Sequence, residues 1–336
     1  MKFLVIGSNS FSGSHFVNEL LSKNHNVLAV SRSKNVRSVF LPYHWGNREE
    51  YSSNFVRGVF RFEQINLNTD LKKLVQLIEE FKPEYIVNFA SQGMVAESWL
   101  NPNHWFTTNL LSQVSFHDEI RKCKFLKKYV HISTPEVYGD TEEWIKESND
   151  FNPTTPYSVS RAACEMHLQS FYKAYGFPVI FTRAANVYGP GQQLYRIIPK
   201  TILSIISQKK IDLHGGGFSR RSFIHISDVI KATYKLTIDA APGTVWHIST
   251  NDAISIRDLV KKICKIKKVS FESLVNIVDD RLGKDKNYLL DSSNLRNSFN
   301  WNDEIKLEEG IEDTIKWVED NFEELSLLPW TYQHKI

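Results

Sequence analysis

The sequence Phe3-Leu-Val-Ile6, followed by Gly7-Ser-Asn-Ser-Phe-Ser-Gly13, predicts a buried strand that turns directly into a helix. Glycines at such a turn let the backbone approach a pyrophosphate, and the helix N-terminus adds N–H donors and a favourable dipole. Ser10 stands where these turns usually carry a middle glycine. The stretch predicts a dinucleotide site at Gly7, Ser10, Phe11 and Gly13, and an ordinary strand-to-helix turn is the alternative.

Short apolar runs alternate with longer helical patterns through the first two-thirds of the chain, which predicts an α/β protein with a doubly wound parallel Rossmann sheet. These runs are rich in β-branched residues and show little alternation, as expected for strands buried on both faces. The predicted strands are Phe3–Ile6, Val27–Val30, Tyr85–Phe89, Tyr129–Ile132, Val179–Thr182 and Val245–Ile248, and the predicted helices are Gly13–Lys23, Asp70–Phe81, Tyr195–Gln208, Ser255–Lys265 and Leu307–Phe322. We expect residues 1–182 plus 222–250 to form the dinucleotide domain. Residues 183–221 plus 251–336 would form a smaller, discontinuous α/β substrate lobe.

The composition excludes several classes of protein. The chain has 336 residues and a net charge of only +3, so its bulk charge does not call for a nucleic-acid partner. No stretch approaches the roughly 18 apolar residues of a membrane span, and the first apolar run is too short for a signal peptide. Three separated cysteines predict reduced packing residues, so we expect a cytoplasmic protein without a membrane partner. His214 and His225 have no acidic or cysteine partner at ligand spacing, so no metal is expected.

The end of the second predicted strand, Val30-Ser31-Arg32-Ser33, bears on the choice of dinucleotide. An acidic residue there would bind the ribose 2′-hydroxyl of NAD, whereas an arginine can hold a 2′-phosphate. Because Arg32 is present and no acid is, we expect NADP in preference to NAD; the alternative is that Arg32 faces solvent and NAD is bound. We expect Asn66, Leu67 and Ala90 to belong to the same cofactor site.

Two motifs close together in the sequence contain the candidate catalytic residues. Ser133-Thr134-Pro135-Glu136-Val137-Tyr138-Gly139 follows a predicted strand, and Pro156-Tyr157-Ser-Val-Ser-Arg161 begins a predicted helix. With the first glycine turn, these motifs resemble the extended short-chain dehydrogenase/reductase family, and within it most closely the nucleotide-sugar 4,6-dehydratases. The resemblance runs from Gly7 to Asp285. It implies a tightly bound nicotinamide cofactor and a nucleoside-diphosphate sugar as substrate.

The resemblance assigns roles to four residues, with one departure among them. A tyrosinate at Tyr157 can take the proton of a sugar hydroxyl, and Thr134 matches the family hydroxyl that bonds this substrate group. A cation four residues after the tyrosine lowers its pKa and can hold the cofactor ribose. Family members carry lysine there, whereas this chain has Arg161, a wider, forked donor. In the resembling dehydratases, a glutamate at the position of Glu136 removes the C5 proton.

Pro135 is the second departure from the family pattern. Dehydratases of the family read Thr-Asp-Glu, where the aspartic acid protonates the departing C6 hydroxyl, and those acting on GDP-mannose resemble Thr-Ser-Glu. Proline has no proton to donate. A water molecule, Glu136 itself or another side chain would therefore have to act as the acid.

The resemblance also supplies a substrate site and an oligomeric state. Asn186, Arg196 and Arg221 match residues that bind the nucleoside diphosphate, where a planar guanidinium suits two oxygens. Arg281 matches a later arginine near the nucleoside. Relatives commonly form homodimers through a four-helix interface, which the helix of Tyr157 and the helix near Asn109 would provide here.

The leading hypothesis is a 4,6-dehydratase that oxidises C4, loses water across C5–C6 and returns hydride to C6. A nucleotide-sugar epimerase or a uronate decarboxylase is the alternative, because both share the fold, Tyr157 and the arginines. A non-catalytic dinucleotide sensor is a third reading, supported by the departures at Ser10, Pro135 and Arg161.

Overall fold

A seven-stranded parallel sheet lies at the centre of the molecule in the computed structural model, which describes residues 1–33, 36–45, 60–280 and 286–335. The strands of the chain are β1 (Lys2–Ile6), β2 (Asn26–Ser31), β3 (Phe60–Gln64), β4 (Tyr85–Asn88), β5 (Lys128–Ile132), β6 (Val179–Ala184), β7 (Asn186–Tyr188), β8 (Ile211–His214), β9 (Arg220–Arg221), β10 (Phe223–His225), β11 (Val245–Ile248), β12 (Ile254–Ser255), β13 (Val275–Val278) and β14 (Asn287–Tyr288). The central sheet has the order β11-β6-β5-β4-β1-β2-β3. The order reverses beside β1, where ligands of doubly wound sheets bind.

Helices cover both faces of this sheet. The helices of the described residues, some of which lie beyond this sheet, are α1 (Phe11–Ser22), α2 (Leu71–Phe81), α3 (Pro102–Phe106), α4 (Ser112–Ile120), α5 (Pro156–Tyr175), α6 (Ile197–Ile206), α7 (Ile226–Asp239), α8 (Ile256–Ile266), α9 (Phe271–Leu274), α10 (Ser293–Phe299), α11 (Leu307–Asp320) and α12 (Phe322–Ser326). A π-helical turn, Thr107–Leu111, joins α3 to α4. On β1, Phe3 and Val5 pack with α1 and α7, whereas Leu4 and Ile6 pack with α2, α4 and α5. This two-sided burial confirms the predicted fold class.

The smaller elements lie beyond the main sheet. β7 pairs with β10, β8 pairs with β13, and β9 lies between β12 and β14. A separate apolar cluster joins α6, α8 and α11, with Ile202, Leu259 and Ile315 among its buried members. Among the described residues, no helix is long and apolar enough to cross a membrane.

Sequence patterns located most of the central strands and several helices but missed other features. β3 was not predicted, because its residues Phe-Arg-Phe-Glu-Gln alternate and are only partly buried at the sheet edge. The helix expected near Asn109 from the resemblance is present in the helical stretch over residues 102–120, whereas α7 was not predicted. The predicted helix Leu307–Phe322 is interrupted at Asn321, where α11 ends before α12 begins.

The first helix begins earlier than predicted, at Phe11 instead of Gly13. Ser10 has extended backbone angles and is the N-cap, and its hydroxyl accepts a hydrogen bond from the Gly13 N–H at 3.1 Å. A serine cap satisfies one of the free N–H groups at a helix start. The residue that departs from the glycine pattern therefore stabilises the start of α1.

Candidate active site

The turn from β1 to α1 brings the backbone closer than side chains would allow. Gly7 has a φ of +78°, and a Cβ atom built there would lie 2.8 Å from the Ala90 nitrogen. A Cβ on Gly13 would lie 2.2 Å from the Gly7 carbonyl oxygen. This cradle of backbone atoms at a helix N-terminus fits the pyrophosphate of a dinucleotide.

The other predicted cofactor residues surround this turn. The Ala90 N–H donates to the Asn88 side chain at 2.9 Å, directly beside Gly7. Asn66 follows β3, and its side-chain oxygen accepts a hydrogen bond from the Asn68 N–H. Leu67 is buried in the apolar core below β1. Of the three, Ala90 is the residue whose backbone lies against the glycine turn.

Arg32 follows β2 at the same edge of the sheet, and its guanidinium is already engaged. Its Nη1 donates to the Lys335 carbonyl oxygen at 3.1 Å. The side chain of Gln92, which follows β4, donates to the same oxygen at 2.6 Å. A backbone oxygen of the segment 331–335 therefore joins residues that follow two different strands.

Ring contacts hold the segment 331–335 at this position. His334 stacks on Trp105 and accepts or donates a hydrogen bond with His104 at 2.8 Å. Tyr332 packs edge-on against Tyr195. Sequence patterns gave no signal that this segment would reach the cofactor residues, because the contacts of His334 and Lys335 join residues more than 200 positions apart.

The start of α5 places Tyr157 beside Thr134 and Glu136, and these three residues form a cluster at the carboxyl edge of the sheet. Thr155 caps the helix in a reciprocal pair with Ser158, and Pro156 occupies the first helical position, where its lack of an N–H costs no hydrogen bond. Tyr157, the next residue, is buried and hydrogen-bonded to the Thr134 side chain. The predicted Thr134–Tyr157 pair is therefore brought together.

Several charges act on the Tyr157 hydroxyl. Burial raises its pKa above the ordinary value, and the negative charge of Glu136 raises it further. Arg161, the hydrogen bond from Thr134 and Arg196 act in the opposite direction. Arg161 lowers the pKa of Tyr157, as the i+4 spacing predicts, but burial outweighs this effect and the net direction is upward.

Arg161 is buried beneath the cluster and contacts β5. Its guanidinium donates to the Ile132 carbonyl and to the His131 ring nitrogen Nε2, the latter at 3.2 Å. Burial and the Arg161 charge lower the pKa of His131 well below its ordinary value, so this ring is a neutral acceptor. The forked side chain thus reaches the strand that carries Thr134.

Glu136 and Pro135 lie in a short 3₁₀ turn, Pro135–Tyr138, directly after Thr134. Pro135 occupies the first position of this turn and is buried. Glu136 is half-buried and close enough to Tyr157 to shift its pKa. The turn therefore presents one carboxylate to the cluster where the resembling Thr-Asp-Glu sequence would present two.

The predicted substrate residues occupy different parts of the smaller elements. Arg196 precedes α6 and lies near enough to Tyr157 to lower its pKa. Asn186 begins β7, and its N–H donates to the Ser222 carbonyl. Arg221, in β9, lies 4.2 Å from the Tyr288 ring and donates to the Lys286 carbonyl. Arg281 lies outside the described residues.

Asn109 is a site-supporting residue whose side chain the sequence did not single out. It lies in the π-helical turn, bonds both backbone groups of Gln92, and donates to the Ser160 hydroxyl. It thereby ties the loop after β4 to α5. Short π-turns within helices are frequent at functional sites.

A doubly wound sheet with a glycine cradle and a Thr134–Tyr157–Glu136 cluster at its carboxyl edge defines an enzyme of the extended short-chain dehydrogenase/reductase type. The family model described as GDP-mannose 4,6 dehydratase matches residues 4–314. A bovine dTDP-D-glucose 4,6-dehydratase is 30% identical over 338 residues, which cover 96% of this chain and 89% of the relative. The chain belongs to this family of nucleotide-sugar 4,6-dehydratases.

Solved structures agree on the fold. A dTDP-glucose 4,6-dehydratase from Streptomyces venezuelae, solved with NAD bound, has a TM-score of 0.85 at 24% identity and covers 96% of this chain and 98% of its own. A UDP-glucuronic acid 4-epimerase from Bacillus cereus, solved with UDP-glucuronic acid and NAD, has a TM-score of 0.83 at 25% identity, with 95% and 99% covered. The fold is thus shared by two reactions, and the site residues must distinguish them.

The opposing charges around Tyr157 predict two opposite pH shifts. Glu136→Gln removes a charge that raises the pKa of Tyr157, so C4 oxidation should depend on a lower pKa than in the unchanged protein. Arg161→Met removes a charge that lowers this pKa, so the rise of the C4 oxidation rate with pH should move to higher pH. The measurement is the rate of dinucleotide reduction by substrate against pH. Shifts in the same direction for both variants would contradict the electrostatic account.

Proposed function

We propose that the protein removes water from a nucleoside-diphosphate hexose and forms a 4-keto-6-deoxy sugar. The observation that supports this most strongly is that Thr134 and Glu136 both lie close to Tyr157. An epimerase needs a hydroxyl base but no base for C5, whereas a dehydratase needs both. The bound nicotinamide supplies the hydride acceptor for C4 and the hydride donor for C6.

The residues divide the work by their chemistry. Tyr157 takes the proton of the C4 hydroxyl, and Thr134 orients that hydroxyl through a shared hydrogen bond. Once C4 is a ketone, the C5 proton is acidic and Glu136 removes it. Arg161, a permanent cation, favours the ionised form of Tyr157 against the burial of that side chain.

We also assign to Glu136 the role of the acid that protonates the departing C6 hydroxyl, because Pro135 has no proton to donate. A carboxylate that has taken the C5 proton can pass it to the C6 oxygen on the same face of the sugar, and the C6–O bond then breaks as water leaves. The ionised Glu136 then regains a proton from solvent and returns it to C5. One carboxyl group thereby performs all three proton transfers at C5 and the C6 oxygen.

The nucleoside diphosphate would lie toward the smaller elements. Arg196, near Tyr157, and Asn186 and Arg221, farther along the chain, are the proposed diphosphate ligands, with Arg281 proposed near the nucleoside. In this arrangement residues 183–221 plus 251–336 serve as the substrate lobe, and residues 1–182 plus 222–250 serve as the dinucleotide domain.

Glu136→Gln tests the dehydratase assignment. Glutamine keeps the shape but cannot accept the C5 proton, so 4-keto-6-deoxy product should fall about 10²-fold or more while C4 oxidation continues. The measurement is mass spectrometry of a panel of nucleotide sugars in deuterated water, where the unchanged protein should give a product that has lost one water and carries deuterium at C5. An inverted sugar or a pentose would instead identify an epimerase or a decarboxylase. Absence of turnover with every sugar would favour the sensor.

The cofactor is a tightly held nicotinamide dinucleotide in this proposal, bound along Gly7, Ser10, Phe11 and Gly13. The preference for NADP stays a prediction. It rests on Arg32, which would have to exchange the Lys335 carbonyl for a 2′-phosphate. The similar solved structures contain NAD, which favours the unphosphorylated form.

Identification of the dinucleotide released by denaturation decides between the two forms. If Arg32 reads a 2′-phosphate, the unchanged protein should release NADP, and Arg32→Ala should release mostly NAD. Arg61→Ala, which changes an exposed arginine at the sheet edge, is the matched control and should not alter the ratio. Release of NAD alone from the unchanged protein would show that Arg32 serves the Lys335 carbonyl instead.

We also propose a homodimer through α5 and the helical stretch over residues 102–120. Apolar side chains lie exposed on these helices, with Val159 and Met166 one heptad apart on α5 and Leu111 on the π-helical turn. Met166 is 56% exposed and Leu111 is 60% exposed. Single exposed apolar residues are ordinary, but a row of them on neighbouring helices is typical of an interface.

Sedimentation velocity tests the dimer. Met166→Glu places a charge in the proposed interface and should shift the protein to monomer, whereas Leu327→Glu, at an apolar and even more exposed position elsewhere, should not. A monomeric unchanged protein, or a dimer that persists in Met166→Glu, would remove the proposed interface.

A further inference from the structure

Two residues of the proposed mechanism lie in one short segment, 133–138: Thr134, which orients the C4 hydroxyl, and Glu136, which removes the C5 proton. Thr134 ends an extended stretch, and Glu136 lies in the four-residue 3₁₀ turn that follows. Such short turns have poor hydrogen-bond geometry and little stability of their own. The position of both side chains must therefore be set by contacts at the ends of the segment.

A fully buried ion pair lies directly behind this segment. Glu165 of α5 and Arg183 of β6 both have 0% of their side-chain surface exposed. The Arg183 Nη2 lies 2.6 Å from one carboxylate oxygen of Glu165, and its Nε lies 3.2 Å from the other. The two parallel bonds fix the relative orientation of the two side chains.

The first end of the segment is bonded to the carboxylate of this pair. The Ser133 hydroxyl donates to Glu165 Oε1, and the Ser133 N–H donates to the Thr182 carbonyl at 2.8 Å. Ser133 immediately precedes Thr134, so these two bonds fix the backbone that carries the Thr134 hydroxyl.

The other end is bonded to the guanidinium of the same pair. The Tyr138 hydroxyl accepts a hydrogen bond from Arg183 Nη1, and the Arg183 guanidinium lies 4.6 Å from the Tyr138 ring. His247 Nδ1 lies 3.1 Å from the Asp291 carbonyl, so this nitrogen carries the proton and Nε2 accepts from Tyr138 at 2.8 Å. Burial lowers the pKa of His247 to about 3, which keeps the ring neutral.

We propose that the Glu165–Arg183 pair is a positioning device that holds both ends of the segment 133–138. The bond of Ser133 to the ion pair fixes the position of Thr134, and the bond of Tyr138 to the ion pair fixes the position of Glu136. The inference rests on the proposed function for the roles of Thr134 and Glu136. A buried ion pair contributes little net stability compared with apolar packing, so fixed geometry is its main consequence here.

The test removes the hydrogen bond of Ser133 or of Tyr138 to the ion pair and keeps the ion pair itself. Removing Glu165 or Arg183 would leave an uncompensated buried charge and endanger folding. Ser133→Ala and Tyr138→Phe each remove one hydroxyl and leave both charges in place. Ser292→Ala and Tyr188→Phe are matched controls, because their buried hydroxyls donate to backbone carbonyls elsewhere.

The two variants should affect different halves of the reaction. Ser133→Ala should slow C4 oxidation, whereas Tyr138→Phe should leave C4 oxidation intact and slow C5 deuterium exchange and water loss. Each effect should be about 10-fold or more in kcat, with KM for the nucleotide sugar nearly unchanged, because misplacement by a fraction of an ångström impairs chemistry more than binding. The controls should change neither half-reaction.

Hydrogen–deuterium exchange of the resting protein gives a readout that needs no turnover. Amides of residues 134–138 should exchange faster in Ser133→Ala and Tyr138→Phe than in the two controls at equal thermal stability. Unchanged exchange together with kcat values like those of the controls would overturn the positioning role. If exchange is faster in these variants but the unchanged protein dehydrates no nucleotide sugar, the positioning device is supported and the proposed function is rejected.

Discussion

The in-register pairing of parallel strands is the constraint on which the site depends. Ile6 pairs with Asn88, Asn88 pairs with His131, and Ile132 pairs with Thr182, so four strands end together at one edge of the sheet. The glycine turn follows β1, Gln92 follows β4, and Thr134 and Glu136 follow β5. Parallel pairing therefore assembles residues from positions 7 to 186 without any direct sequence signal.

The chemistry at this edge depends on a balance between burial and charge. Burial disfavours the tyrosinate that the proposed reaction needs, and the neighbouring Glu136 disfavours it further. Arg161 and Arg196 oppose both effects. An arginine suits the buried position at 161, because its fork also satisfies the Ile132 carbonyl and the neutral His131 ring.

The departures from the family pattern have structural explanations of different strength. Ser10 caps α1 and is compatible with the glycine cradle. Pro135 starts the 3₁₀ turn, and its place there accounts for the proline as a backbone element while leaving Glu136 as the carboxyl group of the turn. Arg161 keeps the positive charge of the family lysine and donates from Nη2 to the Ile132 carbonyl and the His131 ring at the end of β5. Together these features agree better with an altered active site than with a protein that has lost its site.

The sequence by itself determined the layers of the fold and indicated the motifs of the candidate site, because local patterns encode them. Apolar runs identified six of the seven central strands, and the motifs at Gly7–Gly13, Ser133–Gly139 and Pro156–Arg161 identified the turns that carry chemistry. Continuous apolar runs do not mark β3, because its residues alternate as in a half-buried strand at the edge of a sheet, and the location of Arg281 stays a prediction.

Only the tertiary structure decided which groups meet and what their surroundings do to them. The net direction of the Tyr157 pKa depends on burial, which no local motif encodes and which outweighs the lowering by Arg161 that the motif predicted. The contact of Arg32 with Lys335 joins residues at opposite ends of the sequence. The bonds from Ser133 and Tyr138 to one buried ion pair also depend on strands and helices far apart in the chain. Spacing along a chain specifies a helix, a strand or a turn, but burial and long-range contacts exist only once the sheet has brought those elements together.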